Sequence, residues 1–406
     1  MLHRPGSAGY RRLNAAMVLA GLAAFGLLYA AQPVLPEIGA ELGVGPSAAS
    51  LTVSAATGAL ALAVLPGAAL ARRWGRVRLM RVGLVASVLL TGAAAVAPDF
   101  ATLVVLRTLS GLALAAVVGV AMGHVGAEVH PAGLGSAMGL YVAGNSLGGV
   151  AGRLLTAGVA DVASWRWGFA VLATAGAVVT VGFWRLLPPP VADPRAGSAD
   201  RPGGGVRVLL RRPAMLALVT VPFALMGGFV AVYNYLGYRL SDAPFDLAPA
   251  VIGLVFLSYL AGTVTSAVAG RAVDRLGRPP VLVVSVLVMG AGLALTLPDR
   301  LPLVIAGLVV LTGGFFAAHA TAIGWAPVVA APFGTEGSAL YVAAYYAGSS
   351  VFGLAIGTAW TAHGWAGVVV SVGALAVVAL VAGLVVAATL ERRPCRVRDA
   401  CHTDVR

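Results

Sequence analysis

Charge is scarce in this chain. Asp, Glu, Lys and Arg make up 10 % of its 406 residues, where a soluble globular protein carries roughly 25 %. So few polar groups could not clothe a soluble fold of this size. A soluble enzyme is therefore excluded, and the chain needs an apolar solvent, the bilayer. Lysine is absent, and all 27 basic residues are Arg. With abundant Ala, Gly and Val, this bias reflects GC-rich coding rather than function. Cysteine is nearly absent. Cys395 and Cys401 both lie in the last dozen residues, which leaves no disulfide framework and no zinc pattern and fits a free-thiol tail in a reducing compartment. What is present is apolar: 59 % of residues are hydrophobic and mean hydropathy is +0.93. The net charge of +12 would suggest nucleic acid in a soluble protein. Here the placement of the arginines decides.

Apolar runs of about 20 residues span a ~30 Å hydrocarbon core as helices. Twelve are legible: 13–35, 47–71, 79–97, 101–124, 134–160, 166–187, 214–238, 248–270, 280–297, 301–325, 337–360 and 365–390. The first is longer than a secretory signal core and reads as a retained helix. With the N-terminus in the cytoplasm, 22 of the 27 arginines fall in inner segments, and the outer connections keep only Arg166, Arg239 and Arg300. This satisfies the positive-inside rule with both termini cytoplasmic and disposes of nucleic acid. The longest break, 188–212, holds Pro188-Pro189-Pro190 and Gly203-Gly204-Gly205 and reads as a flexible cytoplasmic linker. It divides a six-helix bundle at 1–187 from a second at 213–390, followed by a cytoplasmic tail at 391–406.

The halves are related. Leu140-Tyr141-Val142-Ala143 recurs as Leu340-Tyr341-Val342-Ala343, Pro98-Asp99 as Pro298-Asp299, and Trp165 as Trp365, all offset by 200; Gly75-Arg76 pairs with Gly277-Arg278 at nearly that offset. The expected fold is an all-α polytopic membrane protein, with twelve transmembrane helices in two six-helix bundles related by a pseudo-twofold axis. Parallel repeats of this kind place a substrate site at the repeat interface near mid-membrane.

Gly270-Arg271-Ala272-Val273-Asp274-Arg275-Leu276-Gly277-Arg278, in the turn between helices 8 and 9, fits GxxxDRxGR. It resembles the loop signature of the major facilitator superfamily. In the equivalent turn after helix 2, Ala68 stands for Gly and Arg72 for Asp, ahead of Arg73, Gly75 and Arg76. Gln32-Pro33-Val34-Leu35-Pro36-Glu37 resembles the proline motif ending helix 1 of drug:proton antiporters and arabinose-efflux-like bacterial relatives. Leu103, Arg107 and Gly111 resemble the helix 4 arginine motif, with Ser110 in place of Gln. Gly144, Gly148, Gly149, Gly152 and Arg153 resemble the glycine-rich helix 5 of antiporters, without its Gly-Pro pair. The resemblance implies a secondary transporter of the bacterial inner membrane that works by alternating access, with no cofactor and a proton gradient as driving force. The expected activity is proton-linked efflux of a small amphiphile. A sugar or organic-anion permease of the same fold is the alternative, and a polytopic membrane enzyme is disfavoured because no catalytic constellation is visible. The expected partners are a small-molecule substrate and membrane lipid, and the expected working unit is a monomer.

The residues carry their own physics. Gly144, Gly148 and Gly152 recur every fourth residue and let another backbone approach closely, as static packing or as a sliding gate. Asp274 can face the positive N-terminus of a helix in the opposite half, near Leu134. Arg72 at the analogous position would be repelled there, and Glu336 can supply the missing negative charge. Arg72 and Glu336 are thus read as a replacement latch, against plain solvated charges. Two arginines lie inside the membrane. Arg107 is eight residues beyond Asp99 and Arg153 eight before Asp161, which at ~1.5 Å per residue puts both roughly 12 Å below the outer surface. They are read as sharing a cavity, against snorkelling outward. No Asp or Glu lies in a hydrocarbon core, so a neutral, anionic or amphiphilic solute fits better than a cation. His319 is the one deeply placed histidine and the candidate proton carrier, against a plain helix–helix hydrogen bond; Glu37 at the outer end of helix 1 is second. Polar and aromatic side chains mark the expected cavity faces: Phe25, Tyr29 and Gln32; Asn145; Tyr233 and Asn234; Tyr259; Tyr341 and Tyr345 with Ser349. His124 and Glu128 have an i,i+4 spacing but are set aside as a metal site. Glu128 is instead the expected partner of Arg76 or Arg73.

Overall fold

The computed structural model describes residues 2–191 and 204–391. Most of the expected linker and tail, with Cys395 and Cys401, lie outside the described residues. Ten helical segments are long and apolar enough to cross a membrane. One of them, Gly334–Leu390, reverses at Gly364 (φ 57°, ψ −142°) and makes two crossings. The helix Pro131–Val162, 32 residues long but diluted by glycine, completes twelve. They are α1 (Ala8–Leu28), α2 (Leu51–Trp74), α3 (Arg76–Ala94), α4 (Phe100–Glu128), α5 (Pro131–Val162), α6 (Trp165–Leu186), α7 (Pro213–Ser241), α8 (Tyr259–Leu276), α9 (Arg278–Leu295), α10 (Leu301–Ile323), α11 (334–363) and α12 (365–391). Helices are the form in which each segment satisfies its own backbone in lipid.

The caps follow local chemistry. Ser7, Asp99 and Ser164 accept the backbone N–H three residues on, at the starts of α1, α4 and α6, as side-chain N-caps do. Gly75 and Gly277 join α2 to α3 and α8 to α9 at φ 86° and 79°, a backbone that favours glycine over any β-carbon-bearing residue. The degraded turn of the first half thus keeps the geometry of the intact one. The expected run 13–35 is not one helix. α1 starts earlier and ends at Leu28, and a tight turn at Gln32–Val34 leads into a second short helix, Leu35–Leu42. Pro33 and Pro36 lack the N–H that would continue the ladder.

Each half repeats one packing scheme. α1 packs on α5, and α2 and α3 on α4; α7 packs on the α11–α12 hairpin, and α8 and α9 on α10. Gly144, Gly148 and Gly152 form the α1 contact. A β-carbon on them would lie 2.5 Å from the Val18 carbonyl oxygen, 2.3 Å from that of Leu22 and 2.6 Å from the Gly26 Cα. Only glycine permits this approach. At Gly348, 200 residues after Gly148, an added β-carbon would likewise collide with the Phe223 carbonyl of α7.

With twelve crossings the described chain ends lie on one side, here the termini side, opposite the far side. Two arginines expected in outer connections are structural. Arg166 donates to the carbonyls of Ala95 (3.2 Å) and Ala97 (2.7 Å) beyond α3 and pairs with Glu41 at 2.7 Å. Arg239 does the same beyond α9, bonding the Thr296, Leu297 and Pro298 carbonyls and Asp299. Cations at helix C-termini satisfy orphan carbonyls and complement the dipole.

Candidate functional site

The halves meet through α2 against α11, α5 against α8 and its preceding turns, and α7 against the Gln32–Leu42 segment. Between described residues, the hydrogen bonds joining the halves run from mid-membrane to the far side. Arg153 reaches the Tyr259 hydroxyl at 3.4 Å, Gln32 donates to Asn234 at 2.9 Å, Tyr235 to Ser50 at 3.4 Å, Tyr238 to the Leu35 carbonyl at 2.9 Å, and Ser47 to the Leu354 carbonyl at 3.5 Å. The far side is therefore closed.

Below this closure lies a cavity of about 360 Å³ between the halves, running toward the termini side past Met122, Val142 and Ile323. Phe25, Tyr29, Asn145, Arg153, Tyr259, Tyr345 and His319 line it, as expected from the sequence. So do Tyr141, Ser146, Phe229, Ser266, Phe316 and Tyr346, which sequence reasoning did not select. A signal existed for some of them: Tyr141 is one turn before Asn145, and Phe316 three residues before His319.

Arg153 is the centre. It is 2 % exposed. Its Nε and one terminal nitrogen donate to Gln32 Oε1 at 2.8 and 2.7 Å, and the other terminal nitrogen to the Gly149 carbonyl at 2.6 Å. Its guanidinium carbon sits 4.5, 5.0 and 4.8 Å from the ring centres of Tyr29, Phe256 and Tyr259, a cation–π cage. Every partner is neutral. Among the described residues no Asp or Glu lines the cavity, so the Arg153 charge stands at its far end without a carboxylate beside it. The Tyr29 and Tyr141 hydroxyls and Asn145 Oδ1 are buried without a hydrogen-bond partner, polar groups that require one from solvent or solute. On the opposite wall, His319 Nδ1 lies 3.0 Å from the Tyr341 hydroxyl, and its ring stacks on Phe315 at 6.0 Å.

Other candidates lie elsewhere. Arg107 does not share the cavity with Arg153, contrary to the equal-depth argument. It is fully buried and donates to the carbonyls of Leu27 (2.9 Å), Leu28 and Thr52 (3.1 Å). Equal depth fixes a level, whereas the azimuth of α4 turns this side chain onto the end of α1. Gln32 and Asn234 stand one layer behind the lining, linked to it through Arg153. The Tyr233 hydroxyl bonds Ser258 at 2.6 Å and Thr312 at 2.7 Å, so it braces α7 against the turn leading into α8 and against α10. Tyr341 is reached only through His319. Glu37 lies on the short helix Leu35–Leu42 at the far side, away from the lining. On the termini side, Arg72, Arg73, Asp274, Arg275 and Glu336 sit at the helix ends where the sequence puts them. Between described residues the ion pairs are Arg166–Glu41 and Arg239–Asp299, and Arg72–Glu336 is not among them. Glu128 accepts the Val191 N–H at 2.7 Å.

Comparison with known proteins fits this architecture. Residues 17–257 match the sequence model of the Major Facilitator Superfamily. The chain is 36 % identical over 394 residues to the inner membrane transport protein YnfM of Escherichia coli (strain K12), covering 96 % of this chain and 92 % of that one. It is 28 % identical over 320 residues to the puromycin resistance protein pur8 of Streptomyces alboniger, covering 64 % and 62 %. Its fold is similar to the crystal structure of the nucleoside transporter NupG, with TM-score 0.73 and 14 % identity over 92 % of this chain and 99 % of that one. The paired bundles, the cavity between them and these likenesses agree: the chain is a multi-pass membrane transporter and belongs to the major facilitator superfamily.

Proposed function

We propose that this transporter exports a small amphiphile with an aromatic or apolar body and an anionic or polar head, in exchange for protons, by alternating access. The observation that carries the reading is the buried Arg153 charge at the end of an aromatic-lined cavity with no carboxylate among its described residues. A cationic solute would be repelled. An anionic head can replace Gln32 as the acceptor of the Arg153 N–H groups, while the rings hold the body. The Streptomyces relative is a puromycin resistance protein, and drug resistance conferred by a membrane transporter is consistent with export. The termini side, which carries most of the arginines, is assigned to the cytoplasm by the positive-inside rule, so the cavity as seen faces inward. Asp274, Arg72 and Glu336 then belong to the latch of the opposite, outward-facing state, which closes where this one is open. His319 is the proton carrier, since it is the one imidazole among the described lining residues and lies within hydrogen-bond reach of the Tyr341 hydroxyl and in ring contact with Tyr345.

The test is flux into proteoliposomes under an imposed pH gradient, screened over anionic, neutral and cationic amphiphiles of matched size. Hydrogen bonds to a charged group contribute about 1.5–3 kcal/mol. Arg153→Met should therefore weaken apparent affinity for an anionic solute roughly 10- to 100-fold and leave a neutral one within a few-fold. Equal loss for both, or preferred transport of cations by the parent protein, would refute the reading.

A further inference from the structure

A second cavity, of about 540 Å³, opens on the termini side within the first half, where α3, α4 and α6 converge. It is separate from the transport cavity, and its chemistry is different. Gly75, Arg76, Val77 and Arg78 bring the N-terminus of the 19-residue helix α3 to its wall, and that helix has no side-chain cap. Its free N–H groups and positive dipole end favour an anion. Arg81 lines the same cavity, with its Nε buried and without a hydrogen-bond partner. His124 also lines it, 2 % exposed, with its Nε2 likewise unpartnered. Among the described residues Glu128 is the one acid in the wall, and it accepts the Val191 N–H. Against Arg76, Arg78 and Arg81, the balance of formal charge over these described residues is positive.

The cavity also has an apolar extension. Trp184 of α6 stands in its wall, with the Arg81 guanidinium 5.5 Å from its ring. From there the packed pair α3–α6 presents outward stripes: Val82, Val85 and Leu89 on one helix, and Val178 and Val181 on the other, all exposed in the protein alone. Arginine and tryptophan at the mouth of an apolar groove mark the level of lipid headgroups. Basic pockets between membrane helices accept anionic headgroups.

We infer that this cavity is a binding site for an anionic phospholipid. The phosphodiester sits among the α3 N-terminus, Arg78, Arg81 and His124, and an acyl chain lies along the α3–α6 stripes. Of the two sources of a phosphate, lipid or free anion, the groove continuous with the cavity selects lipid. The site does not depend on which solute is transported.

The test uses the full-length protein in detergent, analysed by native mass spectrometry with phosphatidylglycerol or phosphatidylcholine of identical chains. The parent protein should retain phosphatidylglycerol in preference. Each arginine near the headgroup contributes about fivefold, so Arg78→Gln/Arg81→Gln should reduce the preference about 25-fold, Arg78→Gln alone about fivefold, and Arg81→Lys little. Arg300→Gln, at a far-side helix end, should leave it unchanged. The exposed Arg78 single variant keeps the test decisive if the double variant folds poorly. Equal retention of the two lipids, or a preference unaltered by the α3 variants, would overturn the site. Displacement of the lipid by millimolar inorganic phosphate as readily as by phosphatidylglycerol would overturn the lipid assignment in favour of a free anion.

Discussion

The contact between Gln32 and Asn234 can be broken with a calculable effect on the balance between the two states. Gln32 Nε2 donates to Asn234 Oδ1 at 2.9 Å, and both side chains are fully buried. In Asn234→Leu that bond is lost and the Gln32 N–H is stranded in an apolar wall, a penalty of about 1–3 kcal/mol. Opening the far side lets water reach the stranded group, so the penalty falls on the closed state alone. A bias of about 1–3 kcal/mol shifts the ratio of states roughly 5- to 150-fold toward far-side opening. The Arg153–Gln32 pair stays intact, so the cavity charge is unchanged. Spin labels at Ala40 and Ala362, on the far-side ends of the two halves, in a background with Cys395 and Cys401 replaced by serine, read the ratio as a distance distribution. The parent protein should show mainly the short distance, and Asn234→Leu should add a long component. In a double-mutant cycle, Gln32→Leu and Asn234→Leu should couple by about 1–3 kcal/mol. A distribution in Asn234→Leu indistinguishable from the parent's would refute the claim that this contact holds the far side shut.

Three further outcomes follow from the packing and the cavity. Gly148→Val places a β-carbon 2.3 Å from the Leu22 carbonyl and should cost about 1–3 kcal/mol by overpacking; thermal unfolding in detergent checks this against Gly139→Ala, where no atom lies within 4 Å. Arg107→Met leaves three buried carbonyls without their donor and should cost about 3 kcal/mol at ~1 kcal/mol per bond. It should leave apparent substrate affinity within twofold, the reverse of Arg153→Met. His319→Gln keeps a hydrogen-bonding group beside Tyr341 but removes the titratable one, so solute counterflow should persist while pH-gradient-driven flux falls at least tenfold. Undiminished driven flux would remove His319 as the proton carrier.

The sequence made the crossings legible because hydropathy is a property of composition, and composition does not depend on partners. It made Gly144, Gly148 and Gly152 legible because a small-residue stripe has one physical use at a helix contact. Azimuth was not legible. Arg107 and Arg153 have the same depth and charge, yet one is spent on the carbonyls ending α1 and the other stands in the cavity; the difference is a rotation about a helix axis that depends on neighbours from other helices. Tyr233 and Tyr259 read alike for the same reason, and only Tyr259 reaches the lining. The break at Tyr29–Val34 lay in plain view in Pro33 and Pro36, but hydropathy carries across a kink. That break delivers Gln32 to Arg153, since a straight α1 would carry it further along the helix axis.

The repeat also explains why the site is chemically lopsided. Gln32, in the turn after the first helix of one half, bonds position 153 on the fifth helix of that half; Asn234 on the first helix of the other half donates at 3.4 Å to the carbonyl of Gly353, the residue 200 positions after Arg153. The two arms are equivalent and touch each other, so the Gln32–Asn234 contact lies where the halves exchange roles. At 153 the first half holds the cavity's positive charge, whereas Gly353 offers only backbone. At 319 the second half holds the imidazole, whereas at the equivalent Gly119 even an added β-carbon would lie 3.1 Å from the Val64 carbonyl oxygen. Packing has kept the duplication, as Gly148 and Gly348 show, while charge and titratable group have parted to opposite walls. A solute held between Arg153 and His319 therefore spans both halves, so in the proposed cycle its binding and the His319 proton bear on the same closure.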